Sequence, residues 1–156
     1  MIWYFWAGKS YGAGAADSTM RARNVFAALL LFGAVVAVSA CSRTAPVYNV
    51  QDRPIPVASQ RLTLDEIGRN IVQAGRQYKW RMDPVAPGRI TGVLDDRQHE
   101  AVIDISYTQQ AYSITLVESR NLRQEGDEVH KKYNKWIRRL EQGIDERLYA
   151  AGFTSR

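Results

Sequence analysis

The chain has few of the residues that carry metal and redox chemistry in proteins. It contains one cysteine, Cys41, and two histidines, His99 and His130. A single cysteine cannot form a disulfide within the chain. The two histidines lack the three- or four-residue spacing by which a helix presents two imidazoles to a zinc ion. We therefore expect no intrachain disulfide, no metal site and no cofactor.

Long hydrophobic runs are also absent. The longest apolar segment covers residues 25–38, which is 14 residues and is shorter than the ~20 that a membrane-spanning helix needs. It follows Arg21 and Arg23, and it is followed directly by Ser39 and Ala40. A positively charged start, a short apolar run and small residues before a cleavage point are typical of a secretory signal peptide.

Residues 20–41 together resemble the signal peptide of bacterial lipoproteins. In that family a cysteine follows the small residues, its sulfur receives a diacylglyceryl group, the chain is cut before it, and the new amino group is acylated, commonly with palmitate. The resemblance implies cleavage between Ala40 and Cys41, with Cys41 as the lipidated first residue of the mature chain. The next residue, Ser42, is not Asp, which by the family's sorting rule favours the outer membrane over the inner membrane.

Two other interpretations of this segment stay open, an uncleaved N-terminal anchor and a buried core helix with an incidental cysteine. Residues 1–19 fit none of the three, because the aromatic stretch at residues 1–6 has no signal-peptide character. We interpret residues 1–19 as a doubtful extension produced by a start codon assigned too early, so that Met20 is the first residue. A genuine extension is the alternative.

The charge of the chain is mildly basic. It carries 21 Lys+Arg against 16 Asp+Glu, a formal net charge of +5, of which Lys9, Arg21, Arg23 and one carboxylate, Asp17, precede Cys41. The part from Cys41 onward is therefore close to +3. Such an excess suits lipid headgroups, lipopolysaccharide or acidic proteins, and it is too weak to indicate nucleic acid.

The mature part has the length of one domain. Residues 41–61 contain Pro46, Pro54 and Pro56 with few large apolar residues, which predicts a tether behind the lipidated cysteine. The domain itself is expected at residues 62–152, with a short tail at 153–156.

The first helix of that domain has a clear start. Thr63 and Glu66 have the spacing of a capping box, in which each side chain accepts a hydrogen bond from the other residue's backbone amide. Apolar residues then recur at intervals of three or four, which predicts a helix from residue 64 to about residue 78. These residues are Leu64, Ile67, Ile71, Ala74 and Tyr78.

A series of strands follows, with alternating apolar and polar residues. We predict strands at residues 79–82, 89–94, 99–107 and 112–117. The predicted breaks are Asp83-Pro84 with Pro87-Gly88, residues 95–98 and residues 108–111. Because short connections join only antiparallel neighbours, these strands should form a meander of three or four strands.

The last helix is expected to begin after an N-cap at Asp127 and to stop at Gly152. Its apolar stripe should cover one face of the sheet; it comprises Val129, Tyr133, Trp136, Ile137, Leu140, Ile144 and Leu148. The predicted fold class is therefore α+β, a two-layer sandwich in the order helix, antiparallel meander, helix, after a cleaved signal peptide and a proline-containing tether.

No arrangement of residues points to catalysis. Asp95 and Asp96 are predicted to lie in a turn, and Asp104 is expected on the solvent face of its strand. No serine has a nucleophile-elbow pattern around it. Both histidines are expected to have structural or solvated roles. We predict no catalytic residue and no enzyme activity, with a hydrolase as the weakest alternative.

The best interaction candidate is the basic face of the last helix, formed by Lys131, Lys132, Lys135, Arg138 and Arg139. These cations could meet lipid phosphates or an acidic partner, and a merely solvated helix face is the alternative. An aromatic patch of Trp80 and the hairpin at residues 107–112 is a further candidate, against which core packing of the same rings is the simpler interpretation.

Residues 112–114 and 130–137 make the chain similar to small proteobacterial lipoproteins over about residues 62–148, a group that supplies no catalytic or binding residue. We expect a periplasm-facing outer-membrane lipoprotein that serves as a non-catalytic interaction or structural module. Its partners would be the membrane, through the anchor, and another envelope protein, lipopolysaccharide or peptidoglycan. A lipoprotein that binds a small molecule or glycan is the alternative.

Overall fold

The computed structural model describes residues 43–154. The extension at residues 1–19, the signal segment and the cleavage and lipidation at Ala40 and Cys41 lie outside the described residues. So do Ser42 and the last two residues of the chain. Neither helix in the described part has the length and apolar character needed to span a bilayer.

The described chain forms seven strands, two α-helices and one short 3-10 helix. In chain order these are β1 (Thr44–Pro46), β2 (Val50–Pro54), the 3-10 helix (Val57–Ser59), α1 (Leu64–Gln77), β3 (Arg81–Ala86), β4 (Arg89–Asp96), β5 (His99–Tyr107), β6 (Ala111–Arg120), β7 (Glu128–His130) and α2 (Lys131–Thr154).

The strands form two antiparallel sheets. The larger sheet has five strands in the order β2-β6-β5-β4-β3, and β1 pairs with β7 in a two-stranded sheet. In the middle of the larger sheet Ile105 of β5 lies between Ile90 of β4 and Ile114 of β6, and all three side chains are fully buried. The predicted mixed α+β class is confirmed.

Both helices and the larger sheet contribute to one hydrophobic core. In β5 the buried residues are Ala101, Ile103, Ile105 and Tyr107, which are alternate positions along the strand, as the sequence pattern predicts. The helices add apolar side chains at three- and four-residue intervals, namely Ile67, Ile71 and Ala74 from α1 and Tyr133, Ile137, Leu140, Ile144 and Leu148 from α2.

The start of α1 is confirmed in detail. The Thr63 hydroxyl oxygen accepts a 3.2 Å hydrogen bond from the Glu66 amide, and the Glu66 carboxylate accepts a 2.7 Å hydrogen bond from the Thr63 amide. The helix ends at Gln77, one residue before the predicted limit. The capping box is a local signal, and local signals are the ones that a sequence shows directly.

The prediction of a tether is wrong for the part of residues 41–61 that the structure describes. Residues in this stretch form β1, β2 and the 3-10 helix, and Val50, Ile55 and Ser59 are buried. The folded unit therefore begins near Arg43 rather than at residue 62. Proline is tolerated here because Pro54 ends β2, an edge strand of the larger sheet, where a missing amide donor costs little.

The predicted limits of the last helix are wrong at both ends. Asp127 is not its N-cap, because β7 intervenes and α2 begins at Lys131; Val129 is buried in β7, not on the helix stripe. The actual capping group is His130, whose Nδ1 accepts a 3.1 Å hydrogen bond from the Lys132 amide. At the other end Gly152 is buried inside the helix, which continues to Thr154.

The first predicted strand and one predicted turn also differ from the structure. β3 begins at Arg81, two residues later than expected, and passes through Pro84 to Ala86. Because β3 is the other edge strand, Pro84 does not interrupt the sheet. Asp95 and Asp96 belong to β4, so that the turn to β5 consists of Arg97 and Gln98 alone.

Candidate functional site

Two of the five cations on the predicted basic face of α2 contact other side chains of the domain. Lys132 Nζ lies 2.9 Å from Asp96 Oδ2 and 5.2 Å from the centre of the Trp136 ring. The Arg138 guanidinium lies 4.0 Å from the centre of the Tyr48 ring. Among residues 43–154 the side chains of Lys131, Lys135 and Arg139 form no ion pair, so that three of the five predicted cations remain available to a partner.

Beside this helix the structure contains an open cleft of about 370 Å³. Its walls are formed by the end of α1, by the end of β4 with the turn that follows it, and by α2 at Trp136 and Arg139. Its lining includes three aromatic residues, three cations and two carboxylates, namely Tyr78, Trp80, Trp136, Lys79, Arg97, Arg139, Asp95 and Asp96.

The backbone at the end of α1 positions Lys79 at the edge of the cleft. The Trp80 amide donates to the Gly75 carbonyl at 2.9 Å and the Lys79 amide to the Arg76 carbonyl at 3.1 Å, which are the two hydrogen bonds of a Schellman motif. Lys79 occupies the left-handed position of that motif with φ of 67°, where glycine is the usual residue. The chain thus reverses direction sharply at Lys79, and the Trp80 side chain lies in the core.

The turn between β4 and β5 places Arg97 on the opposite side of the cleft. Arg97 is the first of the two turn residues and has φ of 65°, again a conformation that favours glycine. β3 and β4 are antiparallel, with Arg81 opposite Val93, and this pairing brings the residues just before β3 close to those just after β4. Lys79 and Arg97 therefore both line the cleft.

The carboxylates at the cleft are already engaged by other cations. Asp96 accepts from Lys132, and this hydrogen bond lowers the pKa of Asp96 below its usual value, with further contributions from Arg97 and Lys79. Asp95 Oδ2 lies 4.0 Å from the Arg120 guanidinium. Lys79 and Arg97 therefore interact with Asp96 only at longer range. Among residues 43–154 no carboxylate oxygen lies within 4.0 Å of the charged nitrogens of Lys79, Arg97 or Arg139.

Aromatic rings form the apolar part of the cleft. Trp80 is 2% exposed, and its indole Nε1 has no hydrogen-bond acceptor in the part of the chain that the structure describes. Trp136 is half-buried. Tyr78 packs directly against Gly143 of α2, where a Cβ atom would overlap the phenol ring. This close approach fixes the distance between α2 and the end of α1.

The two histidines lie together on the far side of α2's first turn. Their rings stack with centres 5.9 Å apart, and His99 Nδ1 lies 2.8 Å from the Asn121 carbonyl oxygen. Burial lowers the pKa of His130, and the neighbouring charges of His99, Arg123, Arg43 and Lys132 lower it further. Within residues 43–154 no group of three or more His, Cys, Asp or Glu side chains could hold a metal ion.

The other candidate residues are paired, exposed or buried in the larger sheet. Asp104 accepts a 2.7 Å hydrogen bond from Arg89, and Glu118 is exposed at the surface of β6. Tyr107 and Tyr112 are buried, so that the 107–112 hairpin forms no exposed aromatic patch. Trp80 is separated from that hairpin and lines the cleft instead.

Comparisons with protein-family models, with curated proteins and with solved structures find no match to this chain. Of the cleft residues, the sequence-based reasoning named Arg139 and Trp80 as interaction candidates and assigned Trp136 to the apolar stripe of the last helix. It missed Lys79 and Arg97. The signal that could have found them was the predicted hairpin itself, because it places the start of one strand beside the end of the next.

Proposed function

We propose that the protein is a lipid-anchored outer-membrane lipoprotein whose periplasm-facing α+β domain binds an acidic component of the cell envelope and catalyses no reaction. The observation that carries the binding role is the set of cations along α2 and the adjacent cleft that have no carboxylate partner among residues 43–154. The lipid anchor is supported by the order of charges, apolar run, small residues and Cys41 in residues 20–41.

The finer description of the domain is part of the same proposal. We infer two layers, with both helices packed on one face of an antiparallel meander formed by β3 to β6. This is supported by the burial of alternate residues in β5 and by the shared core of helices and sheet. Such an arrangement leaves the other sheet face and the basic side of α2 to solvent or to a partner.

A second candidate, a lipoprotein that binds a small molecule or glycan, is supported by the cleft at the end of α1. Its volume of about 370 Å³ lies within the range of about 300–1,000 Å³ that is typical of small-ligand sites. A hydrolase has no comparable support within residues 43–154. Asp96 is paired with Lys132 and Asp104 with Arg89, and His99 contacts the Asn121 carbonyl oxygen and the His130 ring.

The anchor is tested by metabolic labelling with radioactive palmitate followed by membrane fractionation. The wild-type chain should carry label in the outer-membrane fraction, and Cys41→Ser should carry none. Ser42→Asp is the matched control for sorting: it should retain the label and move to the inner-membrane fraction. Labelled, normally processed Cys41→Ser would disprove the lipoprotein assignment.

The interaction role is tested by crosslinking in intact cells. The double charge reversal Lys131→Glu with Lys135→Glu should remove the crosslinked species, because these two cations form no ion pair that the substitution would break. Arg61→Glu with Arg76→Glu, at exposed positions outside α2, serves as the control of equal charge. Equal crosslinking in both double variants would exclude the basic face of α2 as the contact.

A further inference from the structure

We propose that the cleft between the end of α1, the β4–β5 turn and α2 is a binding site for an oxyanion carried on a sugar-sized ring, that is, a phosphorylated or carboxylated monosaccharide unit. The inference rests on the proposed function in one respect, since it assigns a ligand class to the acidic component that the domain binds. It does not depend on the lipid anchor.

The cleft contains more cations than carboxylates. Lys79, Arg97 and Arg139 line it with ammonium and guanidinium groups, which donate hydrogen bonds and do not accept them. Of the two carboxylates that also line it, Asp96 accepts a hydrogen bond from Lys132, and Asp95 lies 4.0 Å from the Arg120 guanidinium. A ligand that completes this arrangement must supply acceptors and negative charge, which a phosphate or carboxylate does in charge-assisted hydrogen bonds.

The remaining surface of the cleft suits a compact body with an apolar face. Tyr78 and Trp136 are partly exposed at the cleft, and their rings offer flat apolar surface with polar edges. Trp80 also lines the cleft but is only 2% exposed. The volume of about 370 Å³ accommodates a monosaccharide with its anionic group but not a folded protein segment.

The backbone at two of the cations adds a third line of argument. Lys79 and Arg97 both have positive φ, 67° and 65°, where a side chain is strained and glycine is not. Long basic side chains therefore occupy two positions at one cleft where the local backbone alone would favour glycine. Strained residues of this kind concentrate at binding sites, where the side chain has a use that offsets the strain.

The test is isothermal titration calorimetry on the full chain purified in non-ionic detergent. The probes are glucose 6-phosphate, glucuronate, glucose and inorganic phosphate. We expect dissociation constants below about 1 mM for one or both anionic sugars, with glucose and inorganic phosphate at least about tenfold weaker. Preference for glucose 6-phosphate identifies a phosphate as the recognised group, and preference for glucuronate identifies a carboxylate.

The decisive variant is Lys79→Gly with Arg97→Gly, since glycine removes both cations at positions that favour it. Binding of the anionic sugar should weaken at least about tenfold, while the midpoint of chemical unfolding stays the same or rises. Arg139 lines the cleft from α2, so Arg139→Gln should also weaken binding of the anionic sugar. Arg61→Gln with Arg76→Gln removes the same charge from exposed residues that line neither the cleft nor the basic face of α2, and it should leave binding unchanged.

Absence of binding for both anionic sugars in the folded wild-type protein would overturn the proposal. Equal weakening by the Arg61–Arg76 variant would overturn it as well, because binding would then follow total charge and not the cleft. These results are independent of palmitate labelling and of the crosslink at Lys131 and Lys135. Failure of the ligand site is therefore distinguishable from failure of the anchored interaction module.

Discussion

Arg53, near the end of β2, donates a 2.8 Å hydrogen bond from Nη2 to Oδ2 of Asp145 on α2. The other carboxylate oxygen, Asp145 Oδ1, accepts a 2.7 Å hydrogen bond from the buried Tyr112 hydroxyl on β6. One carboxylate thus connects the edge strand, its neighbour and the last helix. This connection holds in the folded domain a segment that the sequence had suggested to be a tether.

The two partners of Asp145 predict unequal costs of substitution. Arg53→Ala should lower the free energy of unfolding by about 0.5–1 kcal/mol, because the pair is partly exposed and screened by solvent. Asp145→Ala should cost about 1–3 kcal/mol, since it also removes the short hydrogen bond of a buried hydroxyl. Chemical denaturation of both variants measures the difference.

Tyr112→Phe provides the control for this comparison. In that background Asp145→Ala should cost about as much as Arg53→Ala in the wild type, because only the ion pair is then lost. Equal costs of the two single substitutions in the wild-type background would contradict the assignment of the Tyr112 hydrogen bond to Asp145.

A second prediction concerns two apolar residues of the same segment. Ile55 is 2% exposed and Val57 is 80% exposed. Ile55→Ala should lower the free energy of unfolding by about 2–4 kcal/mol through lost burial and a residual cavity, while Val57→Ala should change it by less than about 0.5 kcal/mol. Both variants are measured by chemical denaturation. If neither substitution changes the free energy of unfolding, the burial of Ile55 described above is wrong.

The elements that could be predicted are those whose signal is local. The capping box at Thr63 and Glu66 determined the start of α1, and the alternation along residues 99–107 gave β5 with its correct limits. β1, β2 and β7 carried no such signal because their partners are distant in sequence: Val50 pairs with Ile114 and Ala45 with Val129. Their strand character comes from pairing rather than from intrinsic propensity.

The same distinction applies to the candidate site. Helical periodicity placed five cations on one face of α2, but it could not indicate that Lys132 is held by Asp96 or that Arg138 lies over Tyr48. The cleft requires α1, the β4–β5 turn and α2 to pack together, so that its residues converge only in the folded domain. From the sequence, Lys79 was therefore the first residue of a predicted strand and Arg97 a residue of a predicted turn, and neither position indicated a shared site.

A third prediction follows from the position of Gly152 inside α2. A Cβ atom at this residue would lie 2.6 Å from Ser59 Oγ and 2.8 Å from the backbone carbonyl carbon of Ala58. Helix propensity alone predicts that Gly152→Ala stabilises the protein by about 1 kcal/mol. The contact with the backbone predicts the opposite, a loss of about 1–3 kcal/mol from overpacking.

Thermal or chemical unfolding of Gly152→Ala decides between these two predictions. Gln142→Ala, at an exposed position of the same helix, should remain within about 0.5 kcal/mol of the wild type and controls for general effects of alanine in α2. A more stable Gly152→Ala variant would show that α2 does not pack against the 3-10 helix as closely as described.

A fourth prediction concerns the pH dependence of stability at His130. Its Nδ1 accepts the Lys132 amide at the start of α2, so that the neutral ring caps the helix and protonation of Nδ1 removes the acceptor. Burial and the charges of His99, Arg123, Arg43 and Lys132 lower the pKa of His130 in the folded state. The unfolded chain, with a histidine pKa of about 6.5, therefore binds this proton more readily than the folded domain.

The sign of the effect follows from this difference in proton binding. The contribution of His130 to stability is fully present above about pH 6.5 and is lost as the pH falls from there through the lowered pKa of the folded state. Loss of the cap alone corresponds to about 1 kcal/mol of unfolding free energy.

His130→Asn keeps a side-chain oxygen that can accept a hydrogen bond from the Lys132 amide, and this side chain cannot titrate between pH 5 and pH 8. Unfolding free energies measured between pH 5 and pH 8 should therefore fall below about pH 6.5 in the wild type and in His99→Gln, and should fall less in His130→Asn. The same slope in His130→Asn as in the wild type would assign the acid sensitivity to another group.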